Sequence, residues 1–481
     1  GYALNKAHNT KAINIPELSY GIFGGILDYD QAIHQLLSLP NSELGPQERE
    51  ATRRFYNLDR IRSLMQRLGN PQDLIPTVHI AGTKGKGSTA AMITSVLTAA
   101  GYKVGLFTSP HIHEFRERIR IGLTPISKHT FGAYYEKVNH HIGQMESHTQ
   151  NDIATVFETL VAMAFTVFHE EKVDFQVIET GLGGRLDATN IISAPVVSVI
   201  TSLSLDHTKI LGDSIEEIAH EKSGIIKPSI PVVCAPQQSQ AMSVLEERCK
   251  ETLSHMITPY KDHAIKVIDQ SLAFQTFQIL NGHDNPVYQT PLLGSHQIEN
   301  AVVSLSAIDI MRERGLPISQ EAKYRGLAEV DWPGRFQVLT TAPLVITDGA
   351  HNVDSAMRLR ETIAEYISDY DITLVFGCGS DKDAQNIIKE LSLIHPKTII
   401  ATRSRHPKAI PPEEIHKFFK PYSEECIEAI SVNTAMATAI DATHTTKGAI
   451  VVTGSLFIAS EAIEWATGTS PELYNMEQSV L

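Results

Sequence analysis

The run Gly82-Thr83-Lys84-Gly85-Lys86-Gly87-Ser88-Thr89 constrains this chain more than any other segment. The apolar Val78-His79-Ile80-Ala81 before it reads as a strand, and Ala90-Ala91-Met92-Ile93-Thr94-Ser95-Val96-Leu97 after it reads as a helix. A glycine-rich strand-to-helix turn exposes backbone N–H groups to an anion, and the helix N-terminus adds positive partial charge. In such a turn Lys86 reaches the outer phosphates and a hydroxyl faces Mg²⁺. The spacing departs from the usual pattern twice: Ile80 stands where the first glycine is expected, and Gly87 separates Lys86 from Ser88. A plain surface turn would lack the flanking strand and helix. The segment therefore predicts a bound nucleotide.

With 481 residues the chain exceeds what one hydrophobic core supports, so two domains are expected. Lys and Arg total 41 against 55 Asp and Glu, a formal charge of −14 without a basic block, which argues against a nucleic-acid partner. An anionic substrate then needs a local cationic pocket. Cys234, Cys249, Cys378 and Cys426 show no zinc spacing and suit a reducing cytoplasm. Gly1-Tyr2-Ala3-Leu4 resembles no signal or transit peptide, and the missing initiator Met suggests processing or a trimmed start. The longest apolar run, 159–168, is too short to span a bilayer and predicts a buried helix. A cytoplasmic protein without a membrane partner is expected.

Residues before about 25 are polar and irregular, and 28–69 carry helical spacing. From Val78 onward strand and helix signals alternate. Strands are expected over 103–108, 175–180, 196–201 and 231–234, and helices over 151–170 and 214–224. This alternation implies a parallel sheet wrapped by helices. The stretch 265–293 predicts antiparallel hairpins at a sheet edge, and 297–314 a helix. After the turn-rich Trp332-Pro333-Gly334-Arg335-Phe336 the alternation restarts, with strands at 343–347, 372–376, 398–402 and 449–453.

Ser109, Glu179 and His207 each follow or end a predicted strand. In open α/β sheets ligands bind outside the carboxyl ends of the strands. A hydroxyl, a carboxylate and an imidazole on the phosphate-loop rim could complete the shell of a hard cation. Taken singly, Ser109 could be a turn residue, Glu179 an acid paired with Arg185, and His207 a helix cap. Lys222 closes a helix that carries a capping box at Ser214 and Glu217, and could equally be a surface residue. The glycine-rich 180–190 loop follows Glu179 and points to the substrate side. Asp348-Gly349-Ala350-His351-Asn352 follows another strand and could reach a nucleotide across a cleft, or be a turn with an Asn cap.

These stretches resemble the folylpolyglutamate synthase/dihydrofolate synthase family, a branch of the Mur ligases. The matching residues are 82–89, 108–111, 114–119, 179–190, 205–207, 221–227, 332–336 and 348–352, in family order. The resemblance implies a phosphate-loop-containing, Mur-ligase-like α/β domain with a parallel sheet, spanning 28–335. A smaller Rossmann-like α/β domain over 336–481 follows, and 1–27 form an irregular extension. It implies ATP-dependent glutamate ligation to folate through an acyl phosphate, extending to dihydropteroate.

Carried onto this chain, the family pattern places Gly85, Lys86, Gly87, Ser88, Asn300, Arg335 and Asp348 on ATP. Ser109, Glu179 and His207 would hold Mg²⁺, with a monovalent cation as a further candidate cofactor. Lys222 aligns with a carbamylated lysine, and Lys86, His207 and Lys222 form the implied catalytic set. Thr155, Val156, Phe157 and Glu158, with Leu186, Asp187 and Ala188, match the acceptor-binding segments. Lys84 replaces an asparagine common in bacterial members. Arg403, Ser404 and His406 are candidates for the glutamate side, and a monomer with small-molecule substrates is expected. The alternatives are a cell-wall ligase using a UDP-linked acceptor and a non-catalytic nucleotide-binding homologue.

Overall fold

The computed structural model describes residues 27–40, 57–145, 153–259, 264–280, 284–423, 425–443 and 447–472. The first sheet contains β1 (Thr77–Ala81), β2 (Val104–Phe107), β3 (Ile119–Ile121), β4 (Thr124–Pro125), β5 (Phe175–Glu179), β6 (Val197–Ile200), β7 (Val232–Cys234) and β8 (Met256–Ile257). Its spatial order is β4-β3-β2-β5-β1-β6-β7-β8. The β3–β4 hairpin closes one edge in antiparallel fashion, and the remaining strands run parallel. Every residue of β1 and β5 is buried, as expected when helices cover both faces of a parallel sheet.

Alternation along each strand divides the core. Leu106 and Val177 join a cluster with the helices Lys86–Ala99, Ser295–Glu313 and Gln320–Ala328. Phe107 and Ile178 join the opposite cluster, built on Tyr29–Leu37, Asp59–Arg67, Lys128–Ile142 and Val156–Glu170. The helical signal over 28–69 thus resolves into two nine-residue helices, with 41–56 outside the described residues. The helix expected over 151–170 starts at Val156. There Thr155 accepts from the Glu158 N–H, and Glu158 accepts in return from the Thr155 N–H.

Strands β9 (Ala264–Gln270), β10 (Gln275–Leu280) and β11 (Val287–Thr290) are antiparallel, as their alternation predicts. They do not extend the edge of the first sheet. They form a separate one, seated by Phe277 and Tyr288 on the first core cluster.

Beyond Trp332–Phe336 a last sheet contains β12 (Gln337–Thr341), β13 (Leu344–Thr347), β14 (Asp371–Phe376), β15 (Thr398–Ala401), β16 (Ile427–Glu428) and β17 (Gly448–Thr453). Its order is β12-β13-β17-β14-β15-β16, parallel except for β12. Helices Val353–Tyr366, Ala384–Ser392 and Pro412–Phe419 cover one face, and Val432–Ala442 and Leu456–Thr467 the other. The added strands β12 and β16 sit at the two edges. They are only partly buried or exposed, so they carry little apolar pattern. No helix among the described residues is long and apolar enough to cross a membrane.

Candidate active site

Sheet order assembles the site. Strand β1 lies between β5 and β6, so the ends of all three strands meet on one rim. The loop leaving β1 turns at Gly82 and at Gly85, whose φ of 83° is left-handed and which caps the Lys86–Ala99 helix. A Cβ on Gly85 would lie 2.2 Å from Asn300 Oδ1, so the loop can rest against that amide only as glycine. Asn300 is held in turn by its Nδ2 donating to Gln297 Oε1 at 3.0 Å.

Three lysines converge on this loop. Lys86 Nζ lies 3.7 Å from Glu179 Oε1. Lys84 Nζ donates to Asp206 Oδ2 at 2.9 Å, and Lys222 Nζ donates to the Gly82 carbonyl at 2.7 Å. Lys222 is therefore buried on the site and is no surface-helix residue; burial and the Lys86 charge pull its pKa down to about 7. Three lysine side chains around one glycine loop, on a chain of formal charge −14, are a local concentration of basic groups.

Glu179, at the end of β5, accepts from the Ser109 N–H at 3.2 Å, and burial holds its pKa above the usual carboxylate value despite Lys86. Its feared alternative, a pair with Arg185, is not formed. Arg185 binds Glu221 at 2.7 Å instead. His207 lies beyond β6 with left-handed backbone, its ring 40% exposed and 3.8 Å from Asp206. Asp206 links the two halves of the molecule: the oxygen that accepts from Lys84 also accepts from Asn352 Nδ2 at 2.8 Å. Burial opposes the Asp206 charge, but Lys84, His207 and His351 override it and hold its carboxyl below the usual range.

Asp348 accepts from the N–H groups of Phe336 and Ala350, both at 2.8 Å. Burial raises its pKa against the nearby Arg335. Asn352 caps the Val353–Tyr366 helix and at the same time reaches Asp206, so the cap and the reach across the cleft are both realised.

Of the residues expected to bind the acceptor, Thr155, Phe157, Glu158, Leu186, Asp187 and Ala188 line the same cavity. Val156 does not; it is buried in the core cluster. The Glu158 carboxylate is already engaged by Arg60 Nε at 3.1 Å and the Thr155 N–H at 2.8 Å, both groups buried. Glu158→Ala leaves Arg60 without this buried carboxylate, so a loss of about 3–5 kcal/mol in unfolding free energy is expected. Urea titration of the variant measures it, and a loss below about 1 kcal/mol would place the pair among weak surface contacts.

Of the glutamate-side candidates, Ser404 and His406 line the cavity, whereas Arg403 is exposed and does not. Sequence reasoning singled out neither Lys382 and Lys408 nor His296 and Arg358, which also line it. They belong to no strand-end motif, and only the meeting of the two sheets brings them in. The cavity measures about 510 Å³ and is walled by both α/β units.

A phosphate loop on one parallel sheet, facing a second α/β unit across a shared cavity, is the arrangement of a Mur-type ligase. Accordingly, the Mur ligase middle domain matches residues 80–308, and the Mur ligase, glutamate ligase domain matches 334–456. The dihydrofolate synthase/folylpolyglutamate synthase of Bacillus subtilis is 40% identical over 348 residues, covering 70% of this chain and 79% of that protein. Mycobacterium tuberculosis folylpolyglutamate synthase complexed with ADP superposes with a TM-score of 0.78 at 31% identity, over 86% of this chain and 95% of that one. E. coli FolC in complex with DHPP and ADP gives 0.78 at 26% identity, over 92% and 98%. The chain belongs to the folylpolyglutamate synthase/dihydrofolate synthase family.

Proposed function

We propose that this protein is an ATP-dependent ligase that joins L-glutamate by an amide bond to folate, and also to dihydropteroate. The convergence of Lys84, Lys86 and Lys222 on one glycine loop, inside a cavity shared with the second α/β unit, carries this reading. Gly85, Lys86, Gly87 and Ser88 cradle the phosphates of ATP. Asn300, Arg335 and Asp348 hold it from the hinge side.

Hard-oxygen chemistry suits Mg²⁺ here. Glu179 accepts from the Ser109 N–H and pairs with Lys86, and its Oε2 lies 3.5 Å from where a Gly87 Cβ would stand, beside the loop. Glu179, the Ser109 hydroxyl and His207 would hold the ion. An ion held by these residues would neutralise charge on the transferring phosphoryl group. A carbamate on Lys222 would replace a cation by an anion behind the loop.

The acceptor carboxylate takes the γ-phosphoryl group, giving an acyl phosphate and ADP. The glutamate amine then attacks the acyl carbon, the amide C–N bond forms, phosphate leaves with the C–O bond electrons, and the amine releases a proton. Lys86 stabilises the equatorial phosphoryl oxygens, an interaction strongest as charge spreads in the transition state. Phe157, Leu186, Asp187 and Ala188 form the acceptor wall, with Thr155 and Glu158 shaping it through their helix cap. Closing the two units over the cavity excludes water from the acyl phosphate. The protein acts as a monomer on small molecules.

Mass spectrometry of products from parallel reactions with dihydropteroate, tetrahydrofolate and a UDP-muramyl acceptor tests this assignment. At least one glutamate added to each of the first two is expected. Product from the UDP acceptor alone, or ATP binding with no product, overturns it.

A further inference from the structure

His79 stands in the middle of β1 with no exposed surface, between the core residues Val78 and Ile80. Its Nε2 lies 2.9 Å from Thr189 Oγ1, and its Nδ1 is buried without a hydrogen-bond partner. Burial, helped by the Lys227 charge, lowers the ring's pKa to about 3, so the imidazole is neutral with one N–H. Its register partners on the adjacent strands are Ile178 and Ser198, neither of which bonds the ring, so packing gives no reason for a histidine here. The other end of its one hydrogen bond does give a reason.

Thr189 is fully buried, and its hydroxyl lies 2.6 Å from Asp187 Oδ1. The same oxygen accepts from the Thr189 N–H at 3.0 Å, and Oδ2 accepts from the Leu182 N–H at 2.8 Å. Burial raises the Asp187 pKa, while the Thr189 hydroxyl and the N–H groups of Leu182, Thr189 and Gly181 favour its ionised form. Once ionised, the carboxylate only accepts, and a hydroxyl has one proton. Thr189 must therefore donate to Asp187 and accept from His79, which fixes the imidazole proton on Nε2. The bare group is then a lone pair on Nδ1 and not a buried N–H, the more readily tolerated omission. The opposite tautomer would turn the Thr189 hydroxyl away from Asp187.

Asp187 in turn holds the backbone of the cavity wall. It fixes Leu182, and a Cβ on the adjacent Gly181 would lie 2.4 Å from Phe157 Cζ, so that backbone rests on the aromatic ring. Phe157, Gly181, Leu182 and Asp187 all line the cavity, whereas His79 and Thr189 do not. We infer that His79 is a positioning residue for acceptor recognition, acting through Thr189 to fix Asp187 and the Gly181–Leu182 backbone. This rests on the acceptor-wall reading above.

Steady-state kinetics of the full chain, with dihydropteroate, ATP and glutamate varied separately, tests it. His79→Leu is expected to raise the KM for dihydropteroate about tenfold while the KM for ATP stays within about twofold. His79→Gln, whose amide can still donate to Thr189, recovers most of the affinity. Thr189→Val reproduces the leucine variant, and the double His79→Leu/Thr189→Val variant is no worse than either single one. If Asp187→Asn raises the dihydropteroate KM but His79→Leu and Thr189→Val do not, the relay is wrong and the acceptor wall stands. Equal rises in both KM values likewise overturn it. An unchanged dihydropteroate KM in Asp187→Asn overturns the wall assignment and the relay together. Should His79→Leu fail to fold, Thr189→Val decides: a parental dihydropteroate KM there rejects the relay.

Discussion

Lys86→Ala is expected to lower turnover by about 10²–10³-fold while the protein stays folded. The ammonium group sits at the first residue of the Lys86–Ala99 helix, 15% exposed, beside Glu179 and the phosphate loop. In the proposed role its charge acts where the transferring phosphoryl oxygens gain charge, so the loss is expected to fall on kcat more than on the KM for ATP. The fold is spared because Lys86 belongs to none of the apolar clusters that hold the helix to the sheet. Phosphate release measures the first effect and thermal unfolding the second. Turnover within about tenfold of the parent would show that the loop does not serve the transferring phosphate.

The second large effect concerns Lys222. Its Nζ is buried against the Gly82 carbonyl, and burial lowers its pKa to about 7. Because this lies below the value of free lysine, deprotonation inside the fold proceeds as pH rises through about 7. In the proposed carbamylation the free amine would attack CO₂, forming an N–C bond and releasing a proton. Bicarbonate-dependent activity and a ¹³C-carbamate signal should therefore rise together across that range and fade below it. Lys222→Ala removes both, with turnover lower by about 10–100-fold, the scale of losing a group that supports a metal site. Unchanged kinetics in that variant would exclude any essential role for a carbamate. An active parent with no ¹³C signal would leave Lys222 as a plain ammonium group.

How much was legible from residues alone follows from the range of each interaction. The β1–loop–helix unit is local: apolar strand, glycine turn and helix occupy one continuous segment, so its pattern survives in the sequence. Glu179, Ser109 and His207 were legible as a set, because strand ends in a parallel sheet share a rim and each strand announced itself by an apolar run. Strands β12 and β16 were not, since edge strands lack the apolar faces that mark a central one. The helix start at Val156 needed the Thr155–Glu158 cap to be recognised as a boundary. That reciprocal cap also shows that Glu158 is engaged within its own helix and with Arg60.

By itself the sequence determined the chemistry available: a glycine-rich loop between strand and helix, a rim of polar strand-end residues, two α/β units and a family. Those features depend on neighbours along the chain or on motif order. Tertiary structure alone decided which charges meet. It buried Lys222 against Gly82 across 140 positions, seated Asn300 against Gly85, and joined Lys84 to Asn352 through a single Asp206 oxygen. It also linked His79 to Asp187 through one hydroxyl proton. Each such contact joins elements far apart in sequence, and its geometry is set by how the sheets and helices pack, which no local spacing encodes.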